Sequence, residues 1–170
     1  METFNHKGYT IEIMHDYSPE SPRDWSNVGK MICENRNYNI GDEQYKNNYA
    51  NNWAEWFAYY VQENYSTGLS LKSYDTYGYF DEEDKEVDRI WKWIDRNMVV
   101  FKLWIYDHSG ITINHSSVDS KTGGWDSSTV GFHYITKEKA VKEWGNKKFT
   151  KAVKEKVISC MEAELKTYDD

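Results

Sequence analysis

The stretch Val99-Val100-Phe101-Lys102-Leu103-Trp104-Ile105-Tyr106-Asp107-His108-Ser109-Gly110-Ile111-Thr112-Ile113-Asn114-His115 decides the fold. Val99, Phe101, Leu103 and Ile105 alternate with residues that include Lys102, the period of two expected where one face of a strand is buried. Asp107-His108-Ser109-Gly110 is a run of turn formers, with Gly110 free to take a positive φ, and Ile111 to His115 returns as a second strand. After a polar loop over 116–128, Thr129 to Ile135 reads as a third strand of the same meander.

Working outward, Asp81 to Asn97 has Val87, Ile90, Trp91, Ile94 and Met98 at helical spacing, with acids in its first turn where the helix dipole favours them. Upstream, Trp53, Trp56, Phe57, Tyr60 and Val61 lay another apolar stripe, a helix from Ala50 to near Gly68. Residues 69–80 fit either a loop or an irregular strand. Over 25–45, Val28, Met31 and Ile32 suggest a short helix, followed by a loop rich in Asn and Gly. Tyr9, Ile11 and Ile13 alternate as a half-buried N-terminal strand. Downstream, Thr136 caps a short helix that ends at Gly145, and Thr150 caps a last helix with Val153, Val157, Met161, Leu165 and Tyr168 on one stripe. The order predicts an α+β domain spanning 1–170: a small, mainly antiparallel sheet, made of the N-terminal strand plus the three-stranded meander, with helices packed on one face.

Composition agrees with a folded chain. Its 170 residues carry a net charge of −7 and a mean hydropathy of −0.89, yet 8 Trp, 14 Tyr and 6 Phe supply an aromatic core that a disordered acidic chain lacks. No apolar run approaches the roughly 20 residues needed to span a bilayer, so no membrane association is expected. The N-terminus has neither a signal-peptide pattern nor an Arg-rich amphipathic one, which points to the cytosol. Cys33 and Cys160 stand alone, without metal-binding or disulfide-framework spacing. Charge is uneven: residues 1–135 carry 12 basic and 21 acidic groups, and 136–170 carry 9 and 7.

The candidate chemistry is sparse. Asp107, His108 and Ser109 are adjacent in one turn, so they cannot line up as acid, base and nucleophile, and hydrogen bonding to the turn's own backbone is the favoured reading. An enzyme would need His108 as general base with Asp107 or Asp126, in a hydrolase or nuclease. His115 and His133 fall on strands that can be neighbours, but H-E-x-x-H, paired cysteines and the EF-hand series are absent, so neither metal nor cofactor is expected. Nucleotide-binding glycine motifs are missing too. Asp81, Glu82, Glu83 and Asp84 form an acidic run that serves either as a solvated helix start or as a binding surface. Trp25 and Trp125, the latter beside Asp126, sit among acids in loops, the composition of an interface anchor or of a lid on the core. Lys147, Lys148 and Lys151 belong to a Lys-rich segment, 136–156, that either is a solvated face or contacts nucleic acid.

Tyr17-Ser18-Pro19-Glu20-Ser21-Pro22-Arg23-Asp24-Trp25, Asn37-Tyr38-Asn39-Ile40-Gly41-Asp42, Trp104 to Ile113, and Trp125-Asp126-Ser127 through Gly131 to Glu138 resemble a family of small acidic proteins associated with phages, prophages and other mobile elements of Gram-positive bacteria. The similarity runs from about Tyr9 to Tyr168 as a string of short motifs. Thr122-Gly123-Gly124 departs from it, a Cys-Pro-like entry being more usual there, and members tend to continue past the final helix. The resemblance carries no catalytic residues. It implies a non-enzymatic counter-defence inhibitor, of the anti-CRISPR or anti-restriction kind, that binds a host effector such as a CRISPR nuclease or its nucleic-acid complex in the host bacterial cytosol. The alternatives are the His108 enzyme and a sponge that holds a nucleotide signal between aromatics and lysines.

Overall fold

The computed structural model describes residues 2–48, 50–71, 80–115 and 126–170, with backbone only for 80–84. It is an α+β fold with, among the described residues, seven strands and four helices: β1 (Glu2–His6), β2 (Tyr9–Ile13), β3 (Lys30–Cys33), β4 (Glu43–Gln44), α1 (Trp53–Asn64), α2 (Phe80–Asn97), β5 (Met98–Asp107), β6 (Ile111–Asn114), β7 (Ser127–Thr136), α3 (Lys137–Glu143) and α4 (Lys151–Asp169). The main sheet has the order β4-β3-β7-β5-β6, and β1 and β2 pair in a separate hairpin. All pairs are antiparallel except β3 with β4.

The long strand β5 pairs with β7 from Met98↔Thr136 to Tyr106↔Ser127, with a bulge between Leu103 and Trp104. The extra residue, Val130 of β7, is left unpaired and packs with Leu103 and Ile105 in the core. At the β5–β6 turn the positive φ of 60° belongs to Ser109, not to the expected Gly110.

Four expectations need correcting. The N-terminal strand does not join the main sheet: Tyr9–Ile13 pairs with Glu2–His6 in the separate hairpin and is exposed rather than half-buried. The strands 98–107, 111–114 and 127–136 are present, but β7 lies on the far side of β5 from β6, so they are not a simple meander. The residues expected to form a helix around Met31 form β3, in which Met31, Ile32 and Cys33 are all buried. A strand covered on both faces gives a continuous apolar run, which periodicity alone cannot tell from a helix. Helices also cover both faces of the sheet rather than one. Ile32, Phe132 and Tyr134 meet α1 and α2 in an aromatic core, while Val99 and Ile135 meet Ala140 of α3 and Val153, Val157 and Met161 of α4 on the other side.

The aromatic side is tightly interlocked. Phe57 stacks on Phe132 at 4.4 Å, and the hydroxyl of Tyr134 is 3.0 Å from that of Tyr60 and accepts from Tyr65 at 2.9 Å. Pairing these hydroxyls with one another spares the core an unsatisfied polar group. The N-caps fall where the sequence puts them: Thr136 accepts from the Lys139 amide and Thr150 from the Val153 amide.

Among the described residues, no helix is long and apolar enough to cross a membrane.

Candidate functional site

The most organised polar cluster lies under the loop that carries Trp25. Ser21 accepts from the Arg23 amide and starts a 3-10 turn over Pro22–Asp24. That turn sends the Arg23 side chain inward, leaving it 4% exposed. There Nε donates to Asp42 Oδ1 at 2.8 Å and Nη2 to Asp42 Oδ2 at 2.6 Å, a two-point pair, and Nη2 also donates to the Gly29 carbonyl at 3.0 Å. Such planar, charge-assisted pairing is stronger and more directional than a single ion contact. Asp42 Oδ2 further accepts from the Met31 amide at 2.7 Å, which ties the loop to β3.

Glu164 of α4 closes the cluster from the other side, accepting the Val28 and Gly29 amides on its two oxygens. Its Oε2 is 3.9 Å from Arg23 Nη1 and 3.3 Å from Nε2 of the fully buried His133. The last two nitrogens lack a well-aligned hydrogen bond among the described residues, so Glu164 acts on them through charge more than through direction. His133 Nδ1 is 3.1 Å from His115 Nε2, and the His115 ring stacks on Phe101 at 4.3 Å. The His133 tautomer that carries its hydrogen on Nε2, on the side of the carboxylate, makes Nδ1 the acceptor and His115 Nε2 the donor; the other tautomer reverses the pair.

Protonation follows burial. Desolvation holds His115 down at about 4, helped by His133, and pulls His133 below the usual imidazole range against the attraction of Glu164. Burial pushes the Glu164 carboxyl up, but the adjoining His133 and the hydrogen bonds from the Val28 and Gly29 amides outweigh it, so the group stays below its ordinary value. Both imidazoles are therefore neutral at pH 7 beside an ionised Glu164. Gly29 is required for this approach, since a Cβ there would stand 2.0 Å from His133 Nε2.

Above this clamp the surface is aromatic and acidic. Trp25 is 53% exposed and Tyr17 90%, and Asp16, Glu20 and Asp24 are exposed around them. The Trp25 carbonyl accepts the Asn27 amide and side chain, and Asn27 also holds the Pro22 carbonyl, so the backbone beneath the indole is fixed. Trp25 is thus an outward-facing ring, not a lid on the core.

The remaining sequence candidates are scattered. His108 Nδ1 lies 3.6 Å from Asp126 Oδ2, but their side chains are 64% and 46% exposed, so water competes with any proton transfer between them. Asp107 accepts from the Tyr38 hydroxyl at 3.0 Å instead of facing His108. Lys147, Lys148 and Lys151 are exposed, Lys151 beside Glu155 at 3.9 Å, and Lys137 and Lys139 are tied to the Asp95 and Val28 carbonyls. Trp125 and the side chains of Asp81, Glu82, Glu83 and Asp84 lie outside the described residues. His115 and His133 do converge, but no group of three metal-ligating side chains forms among the described residues. A separate cleft of about 310 Å³ lies between α1, α2 and β5, with Trp91, Met98, Val100 and Phe132 inside and Asp95 and Lys102 among its polar lining.

The Arg23, Asp42, His133 and Glu164 cluster is missing from any reading of the sequence, because its members come from four separate segments with no diagnostic spacing. The only hint is an Arg with no nearby acidic helix partner, set between two prolines' turn and a Trp. Comparison with protein-family models, with curated proteins and with solved structures finds no match to the chain.

Proposed function

We propose that this chain is a non-enzymatic counter-defence protein that binds a host defence nuclease, or its nucleic-acid complex, in the bacterial cytosol. One observation carries the reading: an exposed Trp25 among exposed acids, on a loop clamped from beneath by Arg23, Asp42 and Glu164. Interface hot spots are commonly rigid aromatic anchors, and preorganisation lowers the entropy cost of docking. Asp16, Glu20 and Asp24 suit a basic groove of the kind that holds a nucleic acid, because complementary charge speeds encounter and selects partners. The exposed Lys147 and Lys148 supply the opposite charge for the nucleic acid of such a complex. The resemblance to mobile-element proteins supplies the biological setting.

The test is a phage-plating assay in hosts carrying a CRISPR or restriction system, paired with cleavage assays on the purified nuclease. Expression restores plating, and Trp25→Ala weakens inhibition at least tenfold without changing the melting temperature. Binding falls steeply from low to high salt. Restored plating with an unimpaired Trp25→Ala protein, or salt-insensitive inhibition, would refute this use of the loop; failure to restore plating in any host refutes the function.

A second reading, capture of a small ligand, is favoured only by the cleft at Trp91 and Phe132, whose size matches the lower end of ligand pockets. Native mass spectrometry of protein purified from its host distinguishes it, by a bound mass that Trp91→Ala removes.

A further inference from the structure

The hairpin β1–β2 is the least explained part of the molecule. Every residue from 2 to 20 is exposed, and among the described residues the hairpin pairs with no other strand. Register puts Phe4 directly across from Ile11, Glu2 across from Ile13 and His6 across from Tyr9. Alternation therefore collects Phe4, Tyr9, Ile11 and Ile13 on one face and Thr3, Asn5, Thr10 and Glu12 on the other. Among the described residues, seven of the eight exposed large hydrophobic side chains lie between Phe4 and Trp25, and these four make one contiguous strip. A lone two-stranded hairpin is marginal in water and gains stability only when such a face is covered.

We propose that a second copy of this chain covers it, the two hairpins packing face to face with their strands antiparallel. The charges select that arrangement. Lys7 occupies the tip, at a φ of 50°, while Glu2 sits at the open end on the apolar face itself. Packing tip against tip sets Glu2 against Glu2 across the two-fold axis, a like-charge contact. Turning one hairpin end for end puts each Lys7 beside the partner's Glu2, twice by symmetry, and the same patch serves both copies as a two-fold contact requires.

Area fits the same occupant. Phe4, Tyr9, Ile11 and Ile13 are between 46% and 75% exposed. At roughly 200 Å² per full side chain they offer about 450 Å² per copy, and the flanking Glu2 and His6 bring the face to about 600 Å². A standard interface buries about 800 Å² per partner, so the dimer belongs at the weak, reversible end, with a Kd on the order of micromolar. Dimerisation uses Phe4, Tyr9, Ile11 and Ile13 rather than Trp25, and it does not depend on the proposed target.

Sedimentation velocity on the full chain from about 1 to 300 μM tests the proposal across the expected Kd range. The mass should rise with concentration from the monomer's 20.2 kDa towards twice that value. Phe4→Ser with Ile11→Ser should hold the protein monomeric while leaving its melting transition intact, because the hairpin contributes nothing to the three cores. Lys7→Glu and Glu2→Lys should each weaken association several-fold, and the double variant should restore it. A wild-type protein monomeric at the highest concentration, or a dimer indifferent to Phe4→Ser/Ile11→Ser, overturns the proposal. A dimer in which the double charge reversal fails to rescue overturns the antiparallel arrangement. A monomer that instead co-sediments with phosphatidylglycerol vesicles assigns the face to a membrane surface and equally rules the dimer out.

Discussion

Replacing Arg23 with Ala asks whether the clamp governs both the stability of the fold and the order of the Trp25 loop. The change removes the two-point pair to Asp42 and the bond to the Gly29 carbonyl, and it leaves Glu164 and Asp42 facing each other's field without the intervening cation. Breaking a buried ion pair from one side costs about 3–5 kcal/mol. Asp42 keeps its Met31 amide bond and its side chain is 21% exposed, so the lower end, about 3 kcal/mol, applies. For a chain of this length that lowers the melting temperature by about 6–12 °C. Calorimetry or thermal circular dichroism reads the stability, and hydrogen exchange at the Val28, Gly29 and Met31 amides reads the loop. Combining Arg23→Ala with Asp42→Ala should cost less than the two single changes together, with a coupling energy of about 1.5–3 kcal/mol, because both remove the same contact. A single-variant loss under about 0.5 kcal/mol, the scatter of ordinary surface changes, or strict additivity, refutes the reasoning.

Acid should weaken the fold through the two imidazoles. Their folded pKa values lie below the unfolded value near 6.5, so the unfolded chain binds more protons as pH falls. Stability is level above about 6.5 and declines towards about 4, by about 1–2 kcal/mol for the partly buried His115 once solvent screening is discounted. Glu164, held below its ordinary 4.5, adds a further loss as pH falls through its own folded value. Urea midpoints from pH 8 to 4 measure the slope, and His115→Phe should flatten it; an unchanged slope places the titration elsewhere. Gly29→Ala should cost about 2–3 kcal/mol by driving a methyl into His133, and His133→Ala in the same chain should recover part of that cost, as read by denaturation. Thr150→Ala should remove about 1 kcal/mol by uncapping α4, visible as a drop of a few degrees in melting temperature.

Elements whose residues neighbour one another in sequence were legible from it. The stripe of Trp53, Trp56, Phe57, Tyr60 and Val61, the β5–β6 turn and the caps Thr136 and Thr150 follow from side chains a few positions apart. What failed was whatever depends on long-range choice. The strip Met31-Ile32-Cys33 is apolar on both faces, which hides its strand character, and no local pattern tells β7 to cross to the far side of β5. Each helix announces an apolar stripe but not which sheet face receives it, although β5, with Val100 as well as Val99 partly or fully buried, already hints at two covered faces. Tyr9, Ile11 and Ile13 alternate as a half-buried strand should, yet their apolar side faces solvent in this chain. The sequence left Trp25 open between an interface anchor and a lid, and its exposure excludes the lid, whereas Arg23, Asp42, His133 and Glu164 become a unit only in three dimensions.

The bonds from Glu164 to the Val28 and Gly29 amides join residues 136 and 135 positions apart. Ribosomal synthesis runs from the N-terminus, so the segment that bears Trp25 emerges long before the carboxylate that fixes it. Until residue 164 has been made and α4 has docked, the Val28 and Gly29 amides lack their carboxylate, and the loop rests on the Arg23–Asp42 pair. A nascent chain stalled short of this point therefore displays Trp25 on a loop tied by Arg23 but not yet by Glu164, and the full clamp closes when synthesis has passed Glu164.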